Sequence, residues 1–217
     1  MSTNSKLRFI PFMIFLLGAL NVIQIHAQKK ENMQLMSHID FGEGGSGIWG
    51  HTDANGNEYA VIGTRQAIRI LSLEDPANPI ERLVIPGATN NWREMRSWGN
   101  YIYVTTEGPD GVTIIDATNA PNQFTWKRWK PAIPNTVADT LRSVHSINMD
   151  TLGFLYLNGH NVNRQGIIIC DLNKDPYNPE IVSNMGDVYT HDCYANADYL
   201  FTADLNNGVG VYDITNR

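Results

Sequence analysis

The chain has 217 residues, 42% of them hydrophobic and 18% charged, which is enough apolar content for a substantial core. Its formal charge of -6 sets an acidic surface against phosphate backbones and excludes nucleic acid as a partner, because that affinity depends on clustered Lys and Arg.

Residues 1–27 carry Lys6 and Arg8, then the apolar stretch FIPFMIFLLGALNVIQI, then a small residue at Ala27, the order of a secretory signal peptide. Cleavage there removes two cations and no acid, so the expected mature chain, 28–217, carries -8. It holds no second candidate span and hence no transmembrane helix. No cysteine follows the apolar stretch, which argues against lipoprotein processing.

The run MQLMSHIDFG (33–42) reads as an outer strand without a blade of its own. Beyond it one pattern recurs four times, over about 48–87, 92–134, 144–186 and 190–217. Each copy has a short apolar-polar strand, an aromatic-rich strand and a strand of the IxIxD type. The second strands are EYAVIG (58–63), YIYVTT (101–106), FLYLNG (154–159) and YLFTAD (199–204). The third are IRILSL (68–73), VTIIDA (112–117), IIICDL (167–172) and VGVYDI (209–214). Aligning Ser72, Asp116, Asp171 and Asp213 gives steps of 44, 55 and 42 residues, near the period of roughly 40 to 50 of one propeller blade.

Proline doublets in EDPANP (74–79) and KDPYNP (174–179) end the third strand, since proline supplies no ladder donor. The apolar runs IERLVIPG (80–87) and EIVSNMG (180–186) then supply a fourth, outer strand. The unit is a four-stranded meander, and the expected fold is an all-β propeller with about four blades present. These form either a closed four-bladed ring, completed by the N-terminal run, or the N-terminal part of a larger propeller. The second is favoured because the last repeat stops at YDITNR, in mid-repeat.

DANGNE (53–58) offers Asp53, Asn55, Asn57 and Glu58 as calcium ligands, but it lacks the full 12-residue loop and its Asn-Gly is a strong hairpin signal, so a turn is expected. The long middle step holds an insertion at 119–143 with Trp126, Lys127, Arg128, Trp129 and Lys130 together. Alternation puts Trp126 and Arg128 on one face of an outer strand and Lys127 and Trp129 on the other; a carbohydrate or protein contact through exposed tryptophan is the alternative. Cys170 and Cys193 read as small buried core residues, with a bridge between neighbouring blades as the alternative.

In order, SGIWGHTDANGNEYAVIGT, NNWREMRSWGNYIYV, VHSINMD and YTHDCY carry a resemblance to the LVIVD-repeat β-propellers, and within them to the choice-of-anchor B family. It covers roughly residues 33–217, although the second repeat, DATNAPNQF, keeps only one proline of its doublet. The resemblance implies an exported propeller at a bacterial cell surface. It transfers no reaction.

First strands line the channel of a propeller, and here they are polar: Trp49 and His51, then Trp92, Arg93 and Glu94, then His145 and Ser146, then His191 and Asp192. One reading is a structural network around a water-filled channel, with Arg93 pairing Glu94 and His191 pairing Asp192. Another is a divalent metal on His145, His191 and Asp192, with Glu94 as base and Arg93 holding an anion, which makes a metal-dependent hydrolase or lyase. Strand alternation allows only one of His191 and Asp192 to face the channel. Neither a phosphate-cradling glycine loop nor a Gly-x-Ser-x-Gly elbow is present. The expected role is therefore a non-catalytic scaffold binding a surface protein or glycan, with no cofactor firmly expected beyond that metal.

Overall fold

The computed structural model describes residues 32–133, 140–162, 165–185 and 188–217; the signal-peptide assignment and part of the 119–143 insertion lie outside them. Each repeat folds as an antiparallel meander in chain order. The first blade is β1 (Gly45–Thr52), β2 (Glu58–Thr64), β3 (Ala67–Ser72) and β4 (Ile80–Pro86). The second is β5 (Met95–Trp98), β6 (Tyr101–Val104), β7 (Val112–Asp116) and β8 (Thr125–Trp129). The third is β9 (Ser146–Met149), β10 (Phe154–Asn158), β11 (Ile167–Asp171) and β12 (Glu180–Met185), and β13 (Asp192–Ala195), β14 (Tyr199–Ala203) and β15 (Val209–Asp213) make a three-stranded fourth. Inner strands β1, β5, β9 and β13 are neighbours in that order around a channel, so the chain is a β-propeller.

The middle strands of the second and third blades are buried on both faces because successive side chains serve opposite interfaces, whereas β14 of the fourth is buried on one face only. In β11, Ile168 and Cys170 pack against Tyr103, Val112 and Ile114 of the second blade, whereas Ile167 and Ile169 pack against Cys193, Ala195 and Leu200 of the fourth. Tyr59, Val61, Ile68 and Ile70 of the first blade meet Met95, Ile102 and Ile115 of the second. The outer strand shifts register at Ile70/Leu71 in the first blade and at Ile169/Cys170 in the third, a bulge that bends it at the same place in both repeats.

Turn chemistry follows the repeat. Asp116, Asp171 and Asp213 each accept the N–H two residues on, from Thr118, Asn173 and Thr215, and Ser72 does the same for Glu74. Asp75 and Asp175 close the two proline turns by bonding Asn78 and Asn178.

Residues 36–42 form no strand, contrary to the outer strand expected of 33–42. Their anchors are side chains instead of ladder bonds: Ser37 donates to the Pro76 carbonyl and Phe41 lies under the Arg69 guanidinium. The outer strand of the second blade does come from the insertion, with the expected faces. Arg128 stacks over Trp126, while Lys127 meets Tyr177 and Trp129 packs into the core between the second and third blades. Cys170 and Cys193 are free thiols in different cores.

Candidate functional site

The polar residues preceding β5, β9 and β13 meet at one rim of the channel, because antiparallel meanders bring the start of every inner strand to the same end. There Gly47, Trp92, Arg93, Glu94, His145 and His191 line a cavity of about 310 Å³. Gly47 is required: a Cβ there would stand 2.1 Å from the Arg93 carbonyl oxygen, so any side chain would push the first two blades apart.

His145 Nδ1 lies 2.6 Å from Glu107 Oε1, and His145 Nε2 lies 2.9 Å from His191 Nε2. Glu107 sits on the β6–β7 connection, which returns to this rim; nothing near it in sequence pointed to His145. A carboxylate accepts only, so Nδ1 of His145 is the donor. Its Nε2 then accepts the Nε2–H of His191, leaving His191 Nδ1 as a lone pair with no hydrogen-bond partner among the described residues. The result is a hydrogen-bonded row, Glu107–His145–His191, ending at the cavity. Behind it, Asn158 donates to Ser146 Oγ and Ser146 donates to the His191 carbonyl, fixing β13 against β9. The Trp92 indole stands edge-on to His145 and is 56% exposed.

Arg93 borders the cavity but its guanidinium is engaged elsewhere, and the remaining expected channel residues are distributed differently. Arg93 is fully buried, and its guanidinium donates to the Thr64 carbonyl at 2.9 Å and the Ala88 carbonyl at 2.6 Å in the first blade rather than to Glu94. Burial draws its pKa down, and with its donors on main-chain oxygens it is a staple between blades. His51 lies at the far end of β1, buried beside Tyr59, where burial lowers its pKa. Trp49 donates to Ser97 Oγ and carries the Arg96 guanidinium over its ring. His191 and Asp192 both line the channel at different depths, His191 the mouth and Asp192 a second cavity with Glu94 and Arg96. Alternation does not separate them because β13 begins only at Asp192.

Among the described residues no three His, Cys, Asp or Glu side chains converge as a metal set. The two imidazoles meet, and Asp192 instead accepts the Cys193 N–H. At DANGNE, the Asp53 oxygens are occupied by the Asn55 and Asn57 N–H groups, the Asn57 amide and the Tyr59 hydroxyl, so the segment is a capped turn. The Cys193 thiol is pushed up to about 12 by burial, unlike a nucleophile. No helix among the described residues is long and apolar enough to cross a membrane.

No protein-family model matches the chain, and no curated protein matches it. Among solved structures it is similar to a provisionally assigned 6-phosphogluconolactonase from Bacteroides uniformis, with 15% identity, TM-score 0.57, and 79% of this chain and 50% of that one covered. It is also similar to the periplasmic gluconolactonase of Pseudomonas aeruginosa, with 9% identity, TM-score 0.54, and coverage of 76% and 48%. The chain thus spans about half the length of each. At these identities the likeness establishes a shared propeller fold.

Proposed function

We propose that the channel mouth is a hydrolase site for small esters, lactones included. The observation that carries this reading is the Glu107–His145–His191 row opening on the cavity. His191 Nδ1 takes a proton from water as the water attacks the ester carbonyl, His191 Nε2–H passes its proton to His145 Nε2, and the Glu107 carboxylate holds the resulting imidazolium. The proton returns along the row to the leaving oxygen. The lactonase descriptions of the two similar structures agree with this chemistry.

The test is hydrolysis of p-nitrophenyl acetate and glucono-δ-lactone by the wild type and by His191→Ala, His145→Ala and Glu107→Gln. Each histidine variant should lose roughly a hundredfold or more in kcat/KM, the usual weight of a positioned base. Glu107→Gln should also lose roughly a hundredfold or more, since an amide that turns its NH2 to His145 Nδ1 selects the wrong tautomer and no longer supports the imidazolium charge. A wild type that accelerates neither reaction would return the molecule to the scaffold role read from its sequence.

We propose separately that the protein is exported, as an LVIVD-repeat propeller of the choice-of-anchor B type. The charged-then-apolar order of residues 1–27 supports it, as does the periplasmic source of one similar structure. Fractionation of cells expressing the full chain should recover the mature form beginning at Gln28; recovery from the cytoplasm with residues 1–27 attached would refute export.

A further inference from the structure

Among the described residues, two cavities along the channel share a wall. Beneath the mouth lies a cavity of about 170 Å³ lined by Gly47, Ile48, Glu94, Met95, Arg96 and Asp192, and Glu94 lines both. The hydrolase reading uses none of the polar groups in the lower space.

Those groups are held in place yet retain bonding capacity. Arg96 rests on the Trp49 ring and donates Nη1 to the Met95 carbonyl, and among the described residues it forms no ion pair with Glu94 or Asp192. Glu94 accepts the Ile147 N–H through Oε2, and Asp192 accepts the Cys193 N–H through Oδ1. Each carboxylate has a second oxygen with no hydrogen-bond partner among the described residues. A donor-only guanidinium facing acceptor-only carboxylates matches neighbouring hydroxyls, each of which donates to an oxygen and accepts from an N–H. At the rim the exposed Trp92 face offers the apolar surface on which the C–H side of a sugar ring stacks.

Charge decides between classes of polyol. Glu94 and Asp192 line the two compartments, and Glu107 stands one hydrogen bond behind His145. Of the two arginines that line them among the described residues, Arg93 at the mouth has its guanidinium bonded to the Thr64 and Ala88 carbonyls, which leaves Arg96 as the cation available to a ligand. A phosphate dianion would enter against like charge, a penalty that hydroxyls avoid.

We infer that the lower compartment is a hydroxyl-binding subsite and that the ligand is an uncharged polyhydroxylated ester, not its phosphorylated counterpart. The ester part of this assignment rests on the hydrolase reading; the polyol part does not. Binding of D-glucitol and D-glucitol 6-phosphate to the purified protein, followed by tryptophan fluorescence, tests the polyol part. The neutral polyol should bind at least roughly tenfold more tightly, and Asp192→Asn should bring the two within roughly threefold. Should that variant melt early, Arg96→Gln serves instead, with roughly tenfold weaker glucitol binding expected. Equal or tighter binding of the phosphate, or no binding of either, overturns the subsite. Glucitol binding without hydrolysis of glucono-δ-lactone overturns the hydrolase reading alone. Hydrolysis that prefers the 6-phosphorylated lactone overturns the subsite alone.

Discussion

A buried guanidinium bonded to the carbonyls of Thr64 and Ala88 ties the start of the second blade to the end of β2 and to the segment after β4. Arg93→Met keeps the stem but strands those oxygens, so urea unfolding should show a loss of about 2–4 kcal/mol. Arg93→Lys should recover little, because an ammonium does not reproduce the planar fork. A second buried residue sets the acid limit. His160 is inaccessible to solvent, accepts the Val162 N–H at Nδ1, and has its pKa lowered to about 4 by burial against an ordinary 6.5. Between pH 6.5 and 4 the unfolded chain therefore binds the proton that the folded chain refuses. Stability is full above 6.5 and falls as the pH drops toward 4, by roughly 3 kcal/mol at most. The carboxylates whose pKa is lowered, Asp53 and Glu43 among them, act only below their unfolded values near 4. His160→Asn keeps an acceptor near the Nδ1 position without the titration. Its unfolding free energy should be flatter across this window; an unchanged slope would assign the acid loss elsewhere, His51 being the next buried imidazole.

Strands and turns were the legible level, because each repeat writes its local chemistry in full. The acceptor at the end of every third strand caps the chain two residues on, so Asp171→Ala, which frees the Asn173 N–H and side-chain amide, should cost about 1 kcal/mol by chemical denaturation. The proline turns and the faces of β8 were readable for the same reason: proline and period-two alternation act within a few residues. The N-terminal run misled because hydrophobicity was its only strand signal, and ladder partners are a tertiary matter. The site was half legible. His145, His191 and Glu94 lie at strand starts that the repeat aligns, whereas Glu107 lies in an unpatterned connection 38 residues from the histidine it orients. Arg93 was found but misassigned, since a strand start does not reveal whether a long side chain turns to the channel or back into the neighbouring blade.

Among the described residues three separate cores, one between each pair of successive blades, make stability a matter of nearest-neighbour interfaces, as in other repeat architectures. The two thiols report on two of them. Cys170 is wholly buried between the second and third blades, and Cys193 is 8% exposed between the third and the three-stranded fourth. Burial raises both thiol pKa values, so neither reacts while its interface is closed. The core between the third and fourth blades has fewer large side chains, and β14 leaves one face exposed, which places the fourth blade at the low-stability end of the described residues. Labelling with an aromatic disulfide reagent should therefore find no reactive thiol in buffer, then Cys193 at a lower urea concentration than Cys170, as resolved with the two single Cys→Ala variants. Simultaneous labelling would mean that the blades unfold as one cooperative unit. Labelling of Cys170 first would place the weakest interface in the middle of the chain and reverse the order in which the two cores open.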